Sequence, residues 1–262
     1  MKKRFSGKYY KFISTNGFSF ALISSTSNEG PQMQLITRDG SFQIRDNNSI
    51  LISKDKITFN VAQNGLFFSG KIRMSDYHPL KKKAMGPFSI FSMECNHEIY
   101  SMYHKLYGDI TYNGMLYSFY GGYGYIEGDS GKNFPEKYLW YNSVGPDYGV
   151  TLAIATIPFG FIHFTGILGF VSFKGKEYCL CTYNKAKIII NTPNYFEIAK
   201  GDYRLSVSVN GDGGHMLKAP VNGNMNRLIK ENVAVETEFT FSKKGEVILS
   251  RKDAYSSLEY MF

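Results

Sequence analysis

The chain has 262 residues and a formal net charge of +8, and it contains 20 tyrosines, 21 phenylalanines and 26 glycines. This length is enough for one large β domain or two smaller ones, and the aromatic and glycine content favours β-structure. The basic runs at residues 2–4 and 81–83 are too short for a nucleic-acid-binding arm, so we expect no nucleic-acid partner. The positive charge is therefore typical of a protein that binds an anionic membrane surface or an acidic ligand, or of one that uses surface charge only for solubility.

Three cysteines cannot all pair within one chain, and Cys179 and Cys181 are only two residues apart. Free thiols in a reducing, cytoplasmic compartment are the simplest interpretation. No apolar segment follows the basic N-terminus, so a secretory signal is not predicted. Because no cysteine or histidine cluster has the spacing of metal ligands, we expect no metal site.

Short strands separated by turn residues are predicted over the first 74 residues. The separators contain Asn-Gly, Asp-Gly and Gly-Pro pairs, which are strong turn formers. No run of about ten residues has a helical period, so the pattern predicts a meander that closes into a barrel or sandwich. The predicted strands are residues 5–12, 18–24, 32–37, 41–45, 50–53, 56–61 and 66–74.

A basic loop and an unusually polar strand come next. Residues 75–85 are predicted to form the loop, at the mouth of a barrel. Residues 91–104 are predicted to be extended, which places Glu94 on one face and Cys95 and His97 on the other. A buried carboxylate in this strand would need a partner, and the alternative is that these residues lie at a solvent-exposed rim. A hairpin is predicted across residues 112–114.

The segment 121–140 holds two carboxylates at alternate positions, Glu127 and Asp129. In an extended chain, the period of two places both of them on one face with Tyr125. Glycines on both sides allow sharp bends or a close approach to a ligand, and the only tryptophan, Trp140, follows. Acids among aromatics suit a site that holds a protonated carboxyl group against an apolar ligand, whereas the alternative is a glycine-rich turn with solvated acids.

Residues 148–173 carry no charge and are long enough to span a membrane. Proline and glycine residues interrupt the segment, and β-branched and aromatic residues dominate it. We therefore predict two buried strands joined by a turn at residues 158–160, rather than a membrane helix.

The C-terminal part continues the pattern of strands and turns without a sequence repeat. Loops are predicted at residues 210–214 and 219–225, and a short helical turn at residues 226–232. The predicted strands are residues 178–183, 186–190, 195–198, 203–209, 233–241 and 246–250. Because the two halves have similar length, we predict two β domains, residues 1–122 and 123–262.

Several motifs follow one another along most of the chain in an order typical of one protein family. They are Phe5-Ser6-Gly7-Lys8-Tyr9-Tyr10-Lys11, Met85-Gly86-Pro87-Phe88, Met93-Glu94-Cys95-Asn96-His97, His104-Lys105-Leu106-Tyr107-Gly108, Tyr125-Ile126-Glu127-Gly128-Asp129-Ser130-Gly131 with Phe134-Pro135, Ile154-Ala155-Thr156-Ile157-Pro158, Thr182-Tyr183-Asn184-Lys185-Ala186 and Ala219-Pro220. Through them the chain resembles the tocopherol cyclase-like family, which is related in fold to carotenoid 1,2-hydratase and the lipocalin-like Diels–Alderase proteins. Lys8 and Ser130 stand where that family often has tryptophan, which favours a different isoprenoid substrate or a loss of catalysis.

The resemblance implies an all-β fold of two lipocalin-like antiparallel β-barrel domains packed against each other, with an apolar site near their junction. It also implies a reaction on an isoprenoid or prenylated quinol that needs no cofactor. In that reaction an acid protonates a trisubstituted alkene, and the phenolic oxygen captures the tertiary cation to close a ring. The implied partner is a small hydrophobic ligand of the isoprenoid type.

Residues of the motifs can be assigned to this chemistry. Burial and a neighbouring carboxylate both raise the pKa of a carboxyl group, so Asp129 and Glu127 are the predicted acid pair. His97 is the third catalytic candidate, as a proton relay. Aromatic faces would stabilise the cation. The predicted substrate-binding residues are Tyr125, Tyr123, Trp140, Glu94, His104 and Tyr138.

Two other functions stay open at this point. If water reaches the cation, the cation is hydrated, which makes an isoprenoid hydratase one alternative. The departures at Lys8 and Ser130 favour a second alternative, a non-catalytic lipocalin-like carrier of an isoprenoid or lipid. We expect a cytoplasmic protein, with peripheral membrane association as a further option for collecting a lipid.

Overall fold

The computed structural model describes residues 4–90, 93–159, 162–211 and 213–262, and strands form most of it. The strands make two ten-stranded antiparallel sheets. The first sheet contains β1 Phe5–Ile13, β2 Ser19–Ser27, β3 Gly30–Thr37, β4 Gly40–Ile44, β5 Ile50–Ile52, β6 Lys56–Gln63, β7 Leu66–Ser75, β8 Cys95–Tyr112, β9 Met115–Ser118 and β10 Gly122–Gly131. The second contains β11 Lys137–Val144, β12 Tyr148–Phe159, β13 Ile162–Phe173, β14 Lys176–Cys181, β15 Lys187–Asn191, β16 Tyr195–Lys200, β17 Tyr203–Asn210, β18 His215–Val221, β19 Asn224–Lys243 and β20 Glu246–Met261.

The two sheets have almost the same strand order. The first runs β4-β3-β2-β1-β10-β8-β7-β6-β5 with β9 added to β8, and the second runs β14-β13-β12-β11-β20-β19-β17-β16-β15 with β18 added to β19. The prediction of an all-β chain with two antiparallel units is therefore confirmed.

The two sheets are open, which differs from the predicted closed barrels. Within the described residues, no ladder joins the outer strands β4 and β5, or β14 and β15, so each sheet curls around a core without closing. The outer strands of the first sheet have only five and three residues, which leaves little backbone for a closing ladder.

Three apolar clusters form the core, one inside each curled sheet and one between the two sheets. Strand β1 shows how one strand serves two clusters. Tyr10 and Phe12 belong to the cluster inside the first sheet, whereas Tyr9 and Ile13 belong to the cluster between the sheets. Trp140 of β11 joins that same cluster from the second sheet. Both faces of the central strands are therefore buried.

Tight turns lie where the sequence predicts them. Asn64-Gly65 joins β6 to β7, Asn113-Gly114 joins β8 to β9, and all four residues have positive φ, as an Asn-Gly pair adopts in a two-residue hairpin. The uncharged segment forms the paired strands β12 and β13, while Gly160 of its predicted turn lies outside the described residues. Residues 2–3, 91–92 and 212, which belong to other predicted features, also lie outside them. No helix of the described residues is long and apolar enough to cross a membrane.

Two predictions for the C-terminal half are wrong. Residues 226–232, predicted as a helical turn, lie in β19, where Ile229, Glu231 and Val233 alternate toward the interior. A charged residue at a buried position hides this alternation in the sequence. The predicted loop at residues 219–225 shrinks to a turn at Asn222-Gly223, both with positive φ.

The two sheets divide between β10 and β11, at residues 132–136. The predicted boundary at residues 122–123 lies at the start of β10, which pairs with β1 and β8 of the first sheet. Gly121, with a φ of +84°, forms a tight turn into β10. We propose residues 132–136 as the domain boundary, because β10 completes the first sheet.

Candidate active site between the two sheets

A cavity of about 190 Å³ lies between the two sheets, beside the third apolar cluster. Strands β1, β8 and β10 of the first sheet provide its polar wall, and β12, β13 and β18 of the second sheet provide mainly apolar and small side chains. The larger apolar side chains of the lining include Phe5, Met85, Phe88, Ile157, Phe164 and Leu168. The first sheet therefore supplies most of the polar lining, whereas the second sheet supplies a mainly apolar wall that includes one carboxyl group, Glu259.

Glu127 lies in β10 on the polar wall, and only 5% of it is exposed. Its Oε2 accepts hydrogen bonds from the Tyr125 hydroxyl at 2.5 Å and from Trp140 Nε1 at 3.0 Å. In the described part of the chain no hydrogen bond reaches Oε1. The carboxyl group is thus held by one oxygen, and the other is left for a proton or a ligand.

His97 connects Glu127 to the second predicted acid, Asp129. His97 lies opposite Asp129 in the register of β8 and β10. Its Nδ1 is 3.0 Å from Asp129 Oδ1, and its Nε2 is 3.6 Å from Glu127 Oε2. Cys95 also contacts Asp129, with Sγ at 3.5 Å from Oδ1. The three predicted catalytic residues therefore form one row, with the imidazole between the two carboxyl groups.

The pKa values of Glu127 and His97 are both raised, but by different causes. Burial raises the pKa of Glu127 to about 7, although the charge of His97 acts in the opposite direction. Burial alone would lower the pKa of His97, but Glu127 and Asp129 outweigh it and raise that pKa to about 9. Near neutral pH the site therefore favours an imidazolium paired with Asp129, beside a Glu127 carboxyl group that still holds its proton in much of the population.

These raised pKa values predict that the protein loses stability as the pH rises. Between pH 4.5 and 7 the folded protein keeps a proton on Glu127 that the unfolded chain has released. The stabilisation from charged His97 is complete below pH 6.5 and is lost as the pH rises through 9. We expect the free energy of unfolding to fall from about pH 5 to about pH 8, with up to about 3 kcal/mol of the fall from Glu127, at ~1.4 kcal/mol per pKa unit.

Urea denaturation at the two pH values measures this fall. The Glu127→Gln variant should show a smaller fall, because glutamine does not titrate. The exposed control Glu246→Gln should keep the wild-type pH dependence. Equal pH dependence in wild type and Glu127→Gln would contradict a buried, protonated Glu127.

The sequence predicts no metal site, but these three side chains are close enough to be considered as metal ligands. One ligand atom from each lies within 4.8 Å of the others. The imidazole, however, presents a different nitrogen to each carboxyl group. An ion bound at Nε2 of His97 would be within reach of Glu127, but it would lie on the far side of the ring from Asp129. The arrangement fits a hydrogen-bonded proton relay better than a metal centre.

Three further residues belong to this site and were missed by the sequence analysis. Tyr9 and Glu259 line the cavity, and Glu231 lies behind Tyr9. The Tyr9 hydroxyl donates to Glu231 Oε1 at 2.7 Å, and the Tyr138 hydroxyl donates to Glu259 Oε2. An alternating pattern through residues 229–235 could have identified Glu231 as buried. Nothing in the sequence joins it to Tyr9, from which 222 positions separate it.

The six predicted binding residues fall into three groups. Trp140 and Tyr138 line the cavity. Tyr125 is fully buried and supports Glu127 through its hydroxyl group, without lining the cavity. Tyr123 packs against the cluster between the sheets, outside the lining.

Glu94 and His104 also lie outside the lining. Glu94 precedes β8 and accepts a hydrogen bond from Asn133 Nδ2 at 3.2 Å. His104 is buried, with its ring centre 5.2 Å from that of Tyr77. Burial lowers the pKa of His104 to about 3, so its ring is neutral at physiological pH. His104 therefore cannot donate a proton as an imidazolium.

No family model and no curated protein matches the sequence. Solved structures with a similar fold do exist. A crystal structure of CghA superposes with a TM-score of 0.65 and 8% identity, over 100% of this chain and 89% of that chain. A structure of CghA with Sch210972 has the same TM-score and coverage with 9% identity. The AttH-like protein NE1406 of Nitrosomonas europaea has a TM-score of 0.53 and 10% identity, over 99% of this chain and 93% of that chain. At these identities the likeness shows the fold alone, and it supports the predicted lipocalin-like fold.

Proposed function

We propose that the protein is a tocopherol cyclase-like enzyme that closes a ring on an isoprenoid or prenylated quinol by acid catalysis. The observation that carries this proposal is the buried carboxyl group of Glu127, which is held at Oε2 by Tyr125 and Trp140 on the wall of an apolar cavity. A neutral carboxyl group in a water-poor site can act as a general acid.

In the proposed reaction Glu127 gives its proton to one carbon of a trisubstituted alkene, whose π bond breaks. The phenolic oxygen captures the tertiary cation, a C–O bond forms, and the phenolic O–H bond breaks, with its proton passing by way of a base in the cavity to the solvent. His97, whose Nε2 is 3.6 Å from Glu127, then passes a proton to it and takes one from the solvent in turn, and Asp129 orients the imidazole and favours its charged form. The reaction is an isomerisation, so no electrons are gained or lost.

Aromatic faces around the cavity support a cationic intermediate. Trp140, Tyr138 and Tyr9 line the cavity, and the rings of Trp140 and Tyr9 meet edge to face at 5.1 Å. Each face could stabilise a desolvated cation by roughly 1–2 kcal/mol. The apolar wall opposite limits the entry of water, which would otherwise divert the cation to an alcohol.

Incubation with a geranylated hydroquinone in D2O tests this proposal. We expect a cyclic ether that carries one deuterium on the carbon that accepted the proton, because the acid exchanges with solvent before it reacts. An alcohol as the product would instead identify a hydratase.

The carrier alternative has one observation in its favour. Lys8 lines the cavity, with Nζ 4.6 Å from the centre of the Tyr100 ring, and an ammonium group near the cavity would repel a carbocation. Native mass spectrometry separates the two functions. Recovery of the bound quinol unchanged, with no product from either a geranylated or a shorter prenylated hydroquinone, would exclude the cyclase and favour the carrier.

A further inference from the structure

A second pair of buried acids lies on the side of the cavity formed by the second sheet. Glu231 of β19 and Glu259 of β20 are directly opposite in the register of the two strands, and they are 0% and 8% exposed. Side chains that face each other in this way have Cβ atoms about 5 Å apart. Two carboxylates so close together and so deeply buried cannot both be ionised without a large penalty.

Trp140 connects this pair to the first acid. Glu259 lines the cavity, lies opposite Trp140 in the register of β11 and β20, and accepts a hydrogen bond from Tyr138. Trp140 itself donates from Nε1 to Glu127 Oε2. Because Glu127, Trp140 and Glu259 all line the cavity, a ligand held against the indole would share the cavity with both carboxyl groups.

Glu231 has one oxygen without a partner. Tyr9 donates to Oε1, whereas Oε2 is buried and no hydrogen bond reaches it in the described part of the chain. Burial raises the pKa of Glu231 to about 7, and burial together with the charge of Glu231 raises the pKa of Glu259 well above its usual range. Glu259 is the residue directly opposite Glu231 in the two strands, which places its carboxyl group next to the unpartnered oxygen. One proton shared between them supplies the missing partner.

An ion pair does not account for these acids. The buried Lys11 feels the charge of Glu231, but its Nζ donates to Ser257 Oγ at 2.8 Å and not to either carboxyl group. Burial lowers the pKa of Lys11 to about 8, which still leaves the ammonium form dominant at pH 7. A shared proton therefore removes one of the two negative charges of the pair, and Lys11 makes no direct hydrogen bond to the carboxyl group that keeps the other.

We infer that Glu231 and Glu259 form a second acid–base site, at which Glu259 binds the phenolic hydroxyl group of the ligand and takes its proton. This inference rests on the proposed cyclisation. As the C–O bond forms, the O–H bond of the phenol breaks and its proton passes to Glu259. Glu127 loses one proton and the pair gains one, and exchange with solvent returns both sites to their starting state.

Binding of a geranylated hydroquinone and of its dimethyl ether tests the inference. Titration calorimetry is carried out in the Glu127→Gln background, which prevents turnover. A hydroxyl group bonded to this carboxyl pair, which shares one proton and carries one negative charge, should favour the free quinol by roughly 10- to 100-fold. When Glu259→Gln is added, we expect the two affinities to become nearly equal.

Glu231→Gln in the same background is the matched control. Its amide can donate to Glu259 and keep that carboxylate as an acceptor, so the preference for the free quinol should persist. Both variants remove one buried acid from the same pair, which separates a lost contact from a general loss of folding. If Glu259→Gln does not fold, Tyr138→Phe replaces it, because it removes the hydrogen bond that orients Glu259 and should lower the preference.

The inference is overturned if Glu259→Gln, or Tyr138→Phe in its place, keeps the full preference. It is also overturned if the Glu127→Gln protein binds the two compounds equally or binds neither. A failed cyclisation in D2O with the preference intact would remove the proposed reaction and leave the hydroxyl site. If the quinol is cyclised but Glu259→Gln has no effect on binding, the proposed reaction stands and the hydroxyl site at Glu259 is ruled out.

Discussion

Glu127→Gln is expected to reduce the rate of cyclisation of a geranylated hydroquinone by roughly 10²- to 10⁴-fold, the usual contribution of a positioned general acid. Glutamine keeps an oxygen that can accept from Tyr125 and Trp140, which donate to Glu127 at 2.5 and 3.0 Å. It has no acidic proton, so the alkene is not protonated. Steady-state assays should show the loss in kcat with KM little changed, because the shape of the cavity is preserved.

Two comparison variants sharpen this test. Glu246→Gln changes an exposed acid outside the cavity lining and should keep the wild-type kcat. Asp129→Asn should lower kcat less than Glu127→Gln does, because it weakens the charge on His97 without removing the acid. Full activity in both Glu127→Gln and Asp129→Asn would exclude the cyclase proposal.

Gly149→Ala is expected to lower the free energy of unfolding by about 3 kcal/mol, at the upper end of the usual cost of overpacking. Gly149 lies in β12, where the second sheet approaches β8 of the first. A Cβ atom at this position would lie 2.2 Å from the carbonyl oxygen of Met102, a backbone atom that cannot move by itself. The sheets must therefore separate, which should also open the cavity and expose Trp140.

Urea denaturation measures the stability of Gly149→Ala, and fluorescence follows the interface. Trp140 is the only tryptophan and is 6% exposed, so its emission should shift to the red if the sheets separate. Gly166→Ala in the neighbouring β13 is the control, because the nearest atom to its new Cβ is the edge of the Phe164 ring at 3.2 Å, which can rotate. If Gly149→Ala unfolds at the same urea concentration as wild type, the sheets do not approach as closely as described.

The first half of the candidate site follows from local sequence. Alternation predicts that Glu127 and Asp129 share one face of their strand, and that His97 lies on the same face as Cys95. These faces meet in the structure, where all four residues line the cavity and His97 lies opposite Asp129. Local periodicity is sufficient here because β8 and β10 are neighbours in one sheet, and the turns around β9 are visible as glycine-rich pairs.

The rest of the site depends on contacts that local periodicity does not contain. A period of two identifies the side chains that share a face of one strand, but it does not identify the face that packs against the other sheet. The sequence therefore could not place Glu231 and Glu259 in the same site as Tyr9. His104 shows a second reason. Strand β8 has an irregularity where Met102 and Tyr103 both join the cluster between the sheets, and alternation from His97 cannot be followed through it.

Infrared spectroscopy of the carboxyl C=O stretch tests most directly whether the cavity between the sheets keeps Glu127 protonated. We predict a protonated-carboxyl band at about pH 6 in the wild-type protein that is weaker in Glu127→Gln, where only the Glu231–Glu259 pair contributes, and unchanged in Glu246→Gln, because burial raises the pKa of Glu127 to about 7. Identical spectra of wild type and Glu127→Gln in this region at about pH 6 would mean that Glu127 is already ionised, as a solvated glutamate is. That result would contradict its role as the acid.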